Sequence, residues 1–489
     1  MNSLGPLTPI IVGAAQLNDR DHGSEPIDLM TRSVEAALAD TTSATLRDRI
    51  GAVRVLWGVW PYADPGRLVA DRIGTKAARS SLTTMGGNQV YDLVTDTALR
   101  IQNGDLEVAV LCGAETLRTR RRDRARGTLT EYLPERQGIA PDEAFGSDKP
   151  LSSDAEREFG LETVARFYAM AETALRHRLG EGIETHRNRI ASLWSRASEV
   201  AASNPNAWNQ KALSADEIAT ESVSNRPVAS PYPKLMTSNL NVDQGGAVVM
   251  CSVAAAERAG VPRDRWIFPS AGVGAADHWF PTNRWAFDES PAMRISGIRT
   301  LELAGIGIDD CSLIDLYSCF PVAVQVAQRE LGVDPSRDFT ITGSLTFAAG
   351  PLNCYCILPL TRAVALLRDT HHDRALLTGN GGSFTKHSSL VLSGEPSGSG
   401  FLTDDVQAAI DALPSRPTPT ERAGDVALEA YTVLSDREMH PELALLAGLD
   451  AQGRRHWAST TDREMMAELL SNDCCERPLH LDGATAAFA

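Results

Sequence analysis

The chain lacks any run of eighteen apolar residues, so no segment is built to cross a membrane as a helix. Its opening stretch, MNSLGPLTPIIVGAAQ, has no basic region followed by a cleavable apolar one, which argues against a secretory leader. Positive charge is in short supply. The 47 Lys and Arg stand against 63 Asp and Glu, a formal net charge of −16 that repels phosphate backbones and anionic lipid alike. Nucleic acid and membrane surfaces are therefore poor partners, and a cytoplasmic protein is expected. One basic run, RTRRRDRAR at residues 118–126, departs from this balance; it reads either as a solvated face or as a contact for a phosphorylated small molecule. The eight cysteines never form CxxC and never take Cys/His ligand spacing, so no metal site is expected. They lie in apolar contexts such as VLCGAE and VVMCSVAA, as buried small hydrophobes of a reducing compartment.

What the chain does have is length and a repeat. Its 489 residues exceed one ordinary core and imply two or three domains. The same succession of elements occurs twice, about 260 residues apart. Each copy opens on an apolar strand ending in small residues, PIIVGAAQ (9–16) and IFPSAGVGAA (267–276). Each then has a small-residue turn feeding a helix: LTTMGGNQ into VYDLVTDTALRIQNG, and LTFAAGPLN into CYCILPLTRAVALLRD. A buried strand with glycine close behind follows, EVAVLCGAE (107–115) and RALLTGNGG (374–382). Continuous apolar strands alternating with helices predict α/β layers.

Between the copies, residues 119–229 read as mainly helical, with three-to-four-residue apolar spacing in LETVARFYAMAETALRHRLG and RNRIASLWSRASEVAASN; this insertion is expected to form a lid. The stretch 394–422 is rich in Gly, Pro and Ser around one short helix, the composition of a linker. A separate unit is expected over 423–489, with strand-like VALEAYTVL, ELALLAGL and RRHWAST and a DAQG turn, as a small antiparallel barrel. The predicted domains are thus 1–118 with 230–265, the insertion 119–229, a second half 266–393, the linker 394–422 and the C-terminal unit.

Over roughly residues 5 to 393 this pattern resembles the thiolase superfamily. NGDLEVAVLCGAETL looks like the segment after the nucleophile helix, where a helix ends in Gly and a strand runs into Gly-x-Glu. YPKLMTSNLNVDQGGAVVMCSVAAAERAG is similar to the segment that closes the first half, most of all in the sterol-carrier-type subfamily. DLYSCFPVAVQ stands where that subfamily carries His-Asp-Cys-Phe, and FAAGPLN where it carries Gly-His-Pro. With its extra C-terminal unit the chain resembles thiolase-like protein type 1. The resemblance implies a duplicated, five-layered αβαβα fold with a helical lid and a small C-terminal β-barrel-like domain. It also implies coenzyme A or acyl-CoA as ligand, no covalently bound cofactor, and an acetyl-CoA acetyltransferase-like name in lipid metabolism. Thiolases are commonly dimers or tetramers, while type 1 proteins can stay monomeric, so monomer and dimer are both open.

A thiolase needs a cysteine at a helix N-terminus, where the dipole lowers the thiol pKa, to take an acyl group from coenzyme A. Counting back from Gly104, the resemblance puts that position at Gly87. Neighbouring Met85, Gly86 and Asn88 cannot replace it, and Cys112 is in a strand. The family histidine falls at Gly350, the second acid/base cysteine at Gly379, and the His-Asp pair at Tyr317-Ser318. Every proton-transfer group of Claisen chemistry is replaced.

Candidate catalytic residues are therefore Tyr317, Cys319 and His387, with Ser318, Asn353, Asn380, Gly381 and Gly382 as candidate substrate contacts. Tyr317 is either a hydroxyl donor or a space-filler. Cys319 is either packing or catalytic. His387 is the one histidine near these motifs, a surviving base or a structural residue. Asn353 reads as a helix cap or backbone brace, and Asn380 as a residue tolerating a left-handed turn. Gly381 and Gly382 offer a backbone N–H cradle for an oxyanion.

Three functions are consistent with these residues. One is an acyl-CoA-binding protein without thiolysis. Another is a carbon–carbon lyase of the retro-aldol kind, using Tyr317 on a CoA thioester; steroid side-chain aldolases that resemble thiolases carry tyrosine in this motif and work with a small partner protein. The last is a scaffold acting through its C-terminal unit. Nucleic acid is disfavoured even if that unit is an oligonucleotide-binding-like barrel, because its aromatics are few (Tyr431, Trp457, Phe488) and it is acidic.

Overall fold

The protein is described by a computed structural model covering residues 4–21, 23–419 and 423–488. The first half contains β1 (Pro9–Asn18), α1 (Pro26–Asp40), β2 (Ala52–Val55), α2 (Pro65–Arg72), β3 (Arg79–Thr83), α3 (Gln89–Gln102) and β4 (Val108–Thr116). The insertion supplies α4 (Leu117–Ala125), β5 (Glu143–Phe145), α5 (Asp154–Glu158), α6 (Val164–Arg178), α7 (Ile183–Ser203), α8 (Ala215–Ala219), β6 (Pro227–Ala229) and β7 (Tyr232–Pro233). The first half closes with β8 (Asp243–Ser252) and α9 (Val253–Arg258). The second half runs through β9 (Phe268–Ala276), α10 (Pro291–Ala304), β10 (Leu313–Asp315), α11 (Pro321–Leu331), α12 (Ile357–Thr370), β11 (Arg374–Gly381) and β12 (Lys386–Ser393). Beyond it lie α13 (Gln407–Asp411), β13 (Ala423–Ser435), β14 (Pro441–Leu449), β15 (Arg455–Thr460), α14 (Arg463–Ser471), β16 (Pro478–Asp482) and β17 (Thr485–Phe488).

The repeat read from the sequence becomes two sheets of matching order. The first is β1-β8-β4-β2-β3-β5 and the second β10-β11-β12-β9. In both, the opening strand lies antiparallel beside the closing one, and two central strands run parallel. The second sheet has no counterpart of β3. Its place is taken by the segment around Thr340 and Thr342, whose hydroxyls are 2.9 and 3.3 Å from the Asp315 carboxylate, while Phe339 O accepts from Leu316 N at 2.8 Å. Helices α3 and α12 pack between the sheets, α1 and α2 cover the outer face of the first, and α10 and α11 cover that of the second. The five αβαβα layers are the expected ones. Every residue of β4 and β8 is buried, which is why their centres, Val108–Cys112 and Ala247–Cys251, read as continuous apolar runs.

The C-terminal unit closes into a five-stranded barrel of order β14-β15-β17-β16-β13, sealed by β13 against β14. It departs from the all-antiparallel expectation in one pair, since β15 and β17 run parallel. The chain leaves β15 through α14 and returns as β16 beside β13, so the last strand must meet β15 in the same direction. This connectivity is that of an oligonucleotide-binding-type barrel. The stretch read as a linker is packed along the second half: Phe401 is buried, Leu402 exchanges backbone hydrogen bonds with Ser270 and Gly272, and Arg416 N donates to Asn283 O at 2.8 Å. Residues 420–422 of that stretch lie outside the described residues. Among the described residues no helix is long and apolar enough to cross a membrane.

Arg455 fastens the barrel to the second half. Its side chain is fully buried, grips Glu429 through two 2.6 Å hydrogen bonds, donates to the carbonyls of Pro281 and Arg284 at 2.6 Å, and sits 4.1 Å from the Phe287 ring centre. Removing it takes a charged donor from Glu429 and from both carbonyls. We expect Arg455→Ala to lose about 3–5 kcal/mol, read as a lowered urea midpoint.

Candidate functional site

A cavity of about 1010 Å³ opens where Trp57 and Thr83, at the ends of β2 and β3, meet the turn before α3, the tip joining β11 to β12, and the insertion. Segments 141–152 and 161–168 of the insertion form one wall, so the expected lid does cover the site. The walls are largely apolar, with Leu82, Leu151, Leu161, Val164, Leu240 and Leu345 among them. Polar groups gather at the floor, around Gly86 and Gly87.

The floor shows why position 87 carries no side chain. A Cβ built on Gly87 would lie 2.8 Å from both Cε2 and the hydroxyl of Tyr317 and 2.6 Å from Asn380 O. The tyrosine ring therefore occupies the space that a side chain at position 87 needs. Its backbone N–H donates to Thr378 Oγ1 at 2.9 Å, and its ring meets Tyr355 edge-on at 5.6 Å. Among the described residues its hydroxyl has no hydrogen-bond partner, and the residue lines the cavity. Burial, then neighbouring Cys319 and Cys356, push the phenol well above its usual range, so it is a proton donor at neutral pH.

Gly379 and Gly350 differ from this. A Cβ at Gly379 would meet Ser388 Oγ at 2.8 Å and Asn88 Cα at 3.0 Å, and this glycine faces a separate small void beside His387. Gly350 lines the main cavity, and a Cβ there would stay 3.4 Å from Leu345 and Ser238. Two of the three positions are thus filled by neighbours, and one is open.

Of the sequence-predicted residues, Tyr317, Cys319, Asn353, Asn380, Gly381 and Gly382 all line the cavity. Asn353 is a backbone brace: its Oδ1 accepts from Gly86 N at 2.8 Å and its Nδ2 donates to Trp57 O at 2.9 Å, fixing the turn that precedes α3. Asn380 lies within β11, not in a left-handed turn, and donates to the Tyr168 hydroxyl at 2.8 Å. Gly382 takes the left-handed backbone at the tip, with φ of 71°, and its carbonyl accepts from the Tyr168 hydroxyl at 3.0 Å. Cys319 is buried and its thiol is pushed up to about 12 by burial, so it holds its proton at neutral pH and is no thiolate nucleophile.

His387 and Ser318 do not reach this cavity. His387 is buried on the opposite face of β12, with Nε2 3.0 Å from Ser290 Oγ, 2.9 Å from Phe384 O and 3.3 Å from Asp277. Ser318 is fully buried and does not line the cavity. The reason for His387 is strand periodicity: successive side chains point to opposite faces, so its neighbour Lys386 faces the cavity instead. Lys386 is buried, its ammonium donates to Met85 O in the turn before α3, and burial lowers its pKa despite the nearby Asp92 carboxylate. No apolar/polar alternation in KHSSLVLS marked which of the two would face the cavity. Tyr168 was also missed; it stacks on Phe320 with ring centres 4.8 Å apart and ties the lid helix to the tip after β11. Its signal was weak, one of two adjacent aromatics, Phe167 and Tyr168, within a helical run.

Asp92, one turn into α3, accepts from Asn88 Nδ2 at 2.7 Å, and burial pushes its carboxyl up to about 7. The folded chain therefore holds this proton more tightly than the unfolded chain, whose value is 3.8, and the group costs stability increasingly as pH rises between the two. Asp92→Asn copies the protonated form. Its advantage in denaturation midpoint is expected to grow from about pH 4 to pH 7 and then level off; an advantage independent of pH would refute this assignment.

Residues 405–482 match the family described as the thiolase-like protein type 1 additional C-terminal domain. A monomeric SCP2-thiolase like protein type 1 from Mycobacterium smegmatis is 29% identical over all of both chains, with a TM-score of 0.85. At 19% identity the fold is shared with an Ltp2-ChsH2(DUF35) aldolase, over 79% of this chain and 98% of that one, at a TM-score of 0.61. Human mitochondrial 3-ketoacyl-CoA thiolase, solved with CoA in one case, shares it at 15% identity, 79% and 98% coverage and a TM-score of 0.55. Benzoylsuccinyl-CoA thiolase subunit BbsB of Thauera aromatica is 25% identical over 260 residues, 53% of this chain and 57% of that protein's length. The chain thus shares the layered thiolase fold with these proteins, and its residues 405–482 match the additional C-terminal domain of thiolase-like protein type 1.

Proposed function

We propose that the protein binds an acyl-CoA thioester in the 1010 Å³ cavity and forms no acyl-enzyme. The observation that carries this is the Tyr317 ring standing where the side chain of residue 87 would be. Thioester exchange through an enzyme-bound acyl group needs a thiolate at that point, and the cavity's Cys319 stays protonated. Solved thiolases of this fold include one bound to CoA, which supports the ligand class. The eight free thiols fit a reducing, cytoplasmic compartment. Calorimetric titration with acetoacetyl-CoA, run beside an assay for released CoA, is expected to show binding with no thiolysis. Turnover at ordinary thiolase rates would overturn the reading.

The partnerless hydroxyl of Tyr317 favours one further reading, cleavage of a carbon–carbon bond in a β-hydroxyacyl-CoA. A base takes the β-hydroxyl proton, the Cα–Cβ bond breaks, and its electrons pass to the thioester oxygen as an enolate while an aldehyde or ketone leaves. Tyr317 is the donor to that oxygen, and the base is Lys386 in its neutral amine form, which burial favours. The likeness to the Ltp2-ChsH2(DUF35) aldolase supports this chemistry and a small partner protein for it. Tyr317→Phe is expected to lower cleavage at least about a hundredfold while leaving thioester affinity within about threefold, and a fully active variant would exclude the role.

Restoring a cysteine alone does not restore a thiolase. Gly87→Cys is expected to cost about 1–3 kcal/mol through overpacking against Tyr317 and to show no acyl adduct by mass spectrometry. Pairing it with Tyr317→Ala should return most of the lost stability in the same melt.

A further inference from the structure

The C-terminal barrel meets the lid helix through a mixed set of donor atoms. His177 sits in the last turn of α6, and Asp473, Cys475 and Glu476 follow α14. One donor atom each from His177, Asp473 and Cys475 lie within 4.8 Å of one another. His177 Nδ1 is 2.8 Å from Asp473 Oδ2, and its other nitrogen faces the Glu476 carboxylate at 3.6 Å. The second oxygen of Asp473 accepts from Arg176 Nη2 at 3.0 Å and from Cys475 N at 3.3 Å. Cys475 is buried with its thiol 3.5 Å from Glu429 O, while His177 and Asp473 are about one-third exposed, so the group has one dry side and one reached by solvent.

We propose that His177, Asp473 and Cys475 bind one Zn²⁺ ion, with water or Glu476 in the fourth position, and that the ion pins the lid helix to the barrel. One imidazole nitrogen, one thiolate and one carboxylate oxygen form a donor set that zinc takes readily in tetrahedral geometry. Tetrahedral ligand atoms around zinc are separated by about 3.5 Å, so donors already within 4.8 Å close on the ion by side-chain rotation. One surrounding contact is of the supporting kind: Arg176 holds the oxygen of Asp473 that faces away from His177. Binding balances as Zn²⁺ plus a thiol giving a zinc thiolate plus one proton, released to solvent past the exposed side. Burial holds the Cys475 thiol well above its usual range, so without the ion it is an inert thiol. Sequence spacing gave no sign of the site, because the histidine and the other ligands are almost 300 residues apart. The same helix carries Tyr168, which lines the thioester cavity, so the ion would brace a wall of the candidate active site from outside.

The test uses the full chain stripped with a chelator and titrated with Co²⁺, read by the near-ultraviolet thiolate-to-cobalt charge-transfer band. The expected result is one equivalent of Co²⁺, displaced by Zn²⁺, with the band lost in Cys475→Ser and kept in the Cys474→Ser control. His177→Ala, at a part-exposed position, should weaken binding at least about tenfold. Zn²⁺ at a fixed concentration should raise the melting temperature of the native chain more than that of His177→Ala. No band, a band that survives Cys475→Ser, or zinc stabilisation unaffected by His177→Ala would each overturn the proposal. Thioester binding is read separately, so the outcome stands apart from that of the cavity.

Discussion

A helix enclosed between two sheets has no solvated face, and the rest of this molecule follows from that constraint. Helix α3 buries Val90, Tyr91, Leu93, Val94, Ala98 and Ile101, and its polar residues must find partners inside. Arg54 enters from β2, pairs with Asp96 at 2.6 Å and donates to Thr97 at 2.7 Å. Ser388 from the other sheet donates to Asn88 O at 2.8 Å. Anchored by both sheets, the helix delivers its first residues to one fixed point on the cavity floor. At that point the chain holds Gly87 with Tyr317 across it.

The layered architecture was legible because its signals are local and repeated: unbroken apolar strands, small-residue turns and amphipathic helices each occur twice. The absence of a cysteine from TTMGGNQ was legible for a different reason, since it holds in any register. What fills the space was not, because Gly87 and Tyr317 are 230 positions apart and nothing in either segment encodes their approach. His387 and Lys386 illustrate a finer failure. Residue type favoured the histidine, while the pleat of β12 turned it toward Asp277 and left the lysine facing the cavity. Ser318 fails likewise, since its position beside Tyr317 says nothing of which side of the loop is buried. In the barrel, strand existence was readable but the parallel β15–β17 pair was not, because closure is a property of the whole ring.

The insertion and the barrel form one supporting structure. Strand β6 pairs with β13 where Leu434 lies opposite Ala229, Thr173 of α6 donates to Tyr431 O at 2.7 Å, and Arg176 donates to the Tyr431 hydroxyl at 2.8 Å. These contacts are buried, and they link the lid wall to a unit that never touches the cavity. The wall is held from behind in a single-chain arrangement, so its position is set before ligand arrives.

Strand β5 is only three residues long, yet it changes what the first sheet can do. Glu143, Ala144 and Phe145 lie parallel to Ser81, Leu82 and Thr83, and Arg100 clamps Glu143 at 2.5 Å. The backbone groups that β3 would otherwise present to a neighbouring molecule are already spent on the chain's own insertion. The sheet therefore ends in a short, charged hem that gives a second copy nothing to continue, and growth by edge-to-edge pairing stops within one polypeptide.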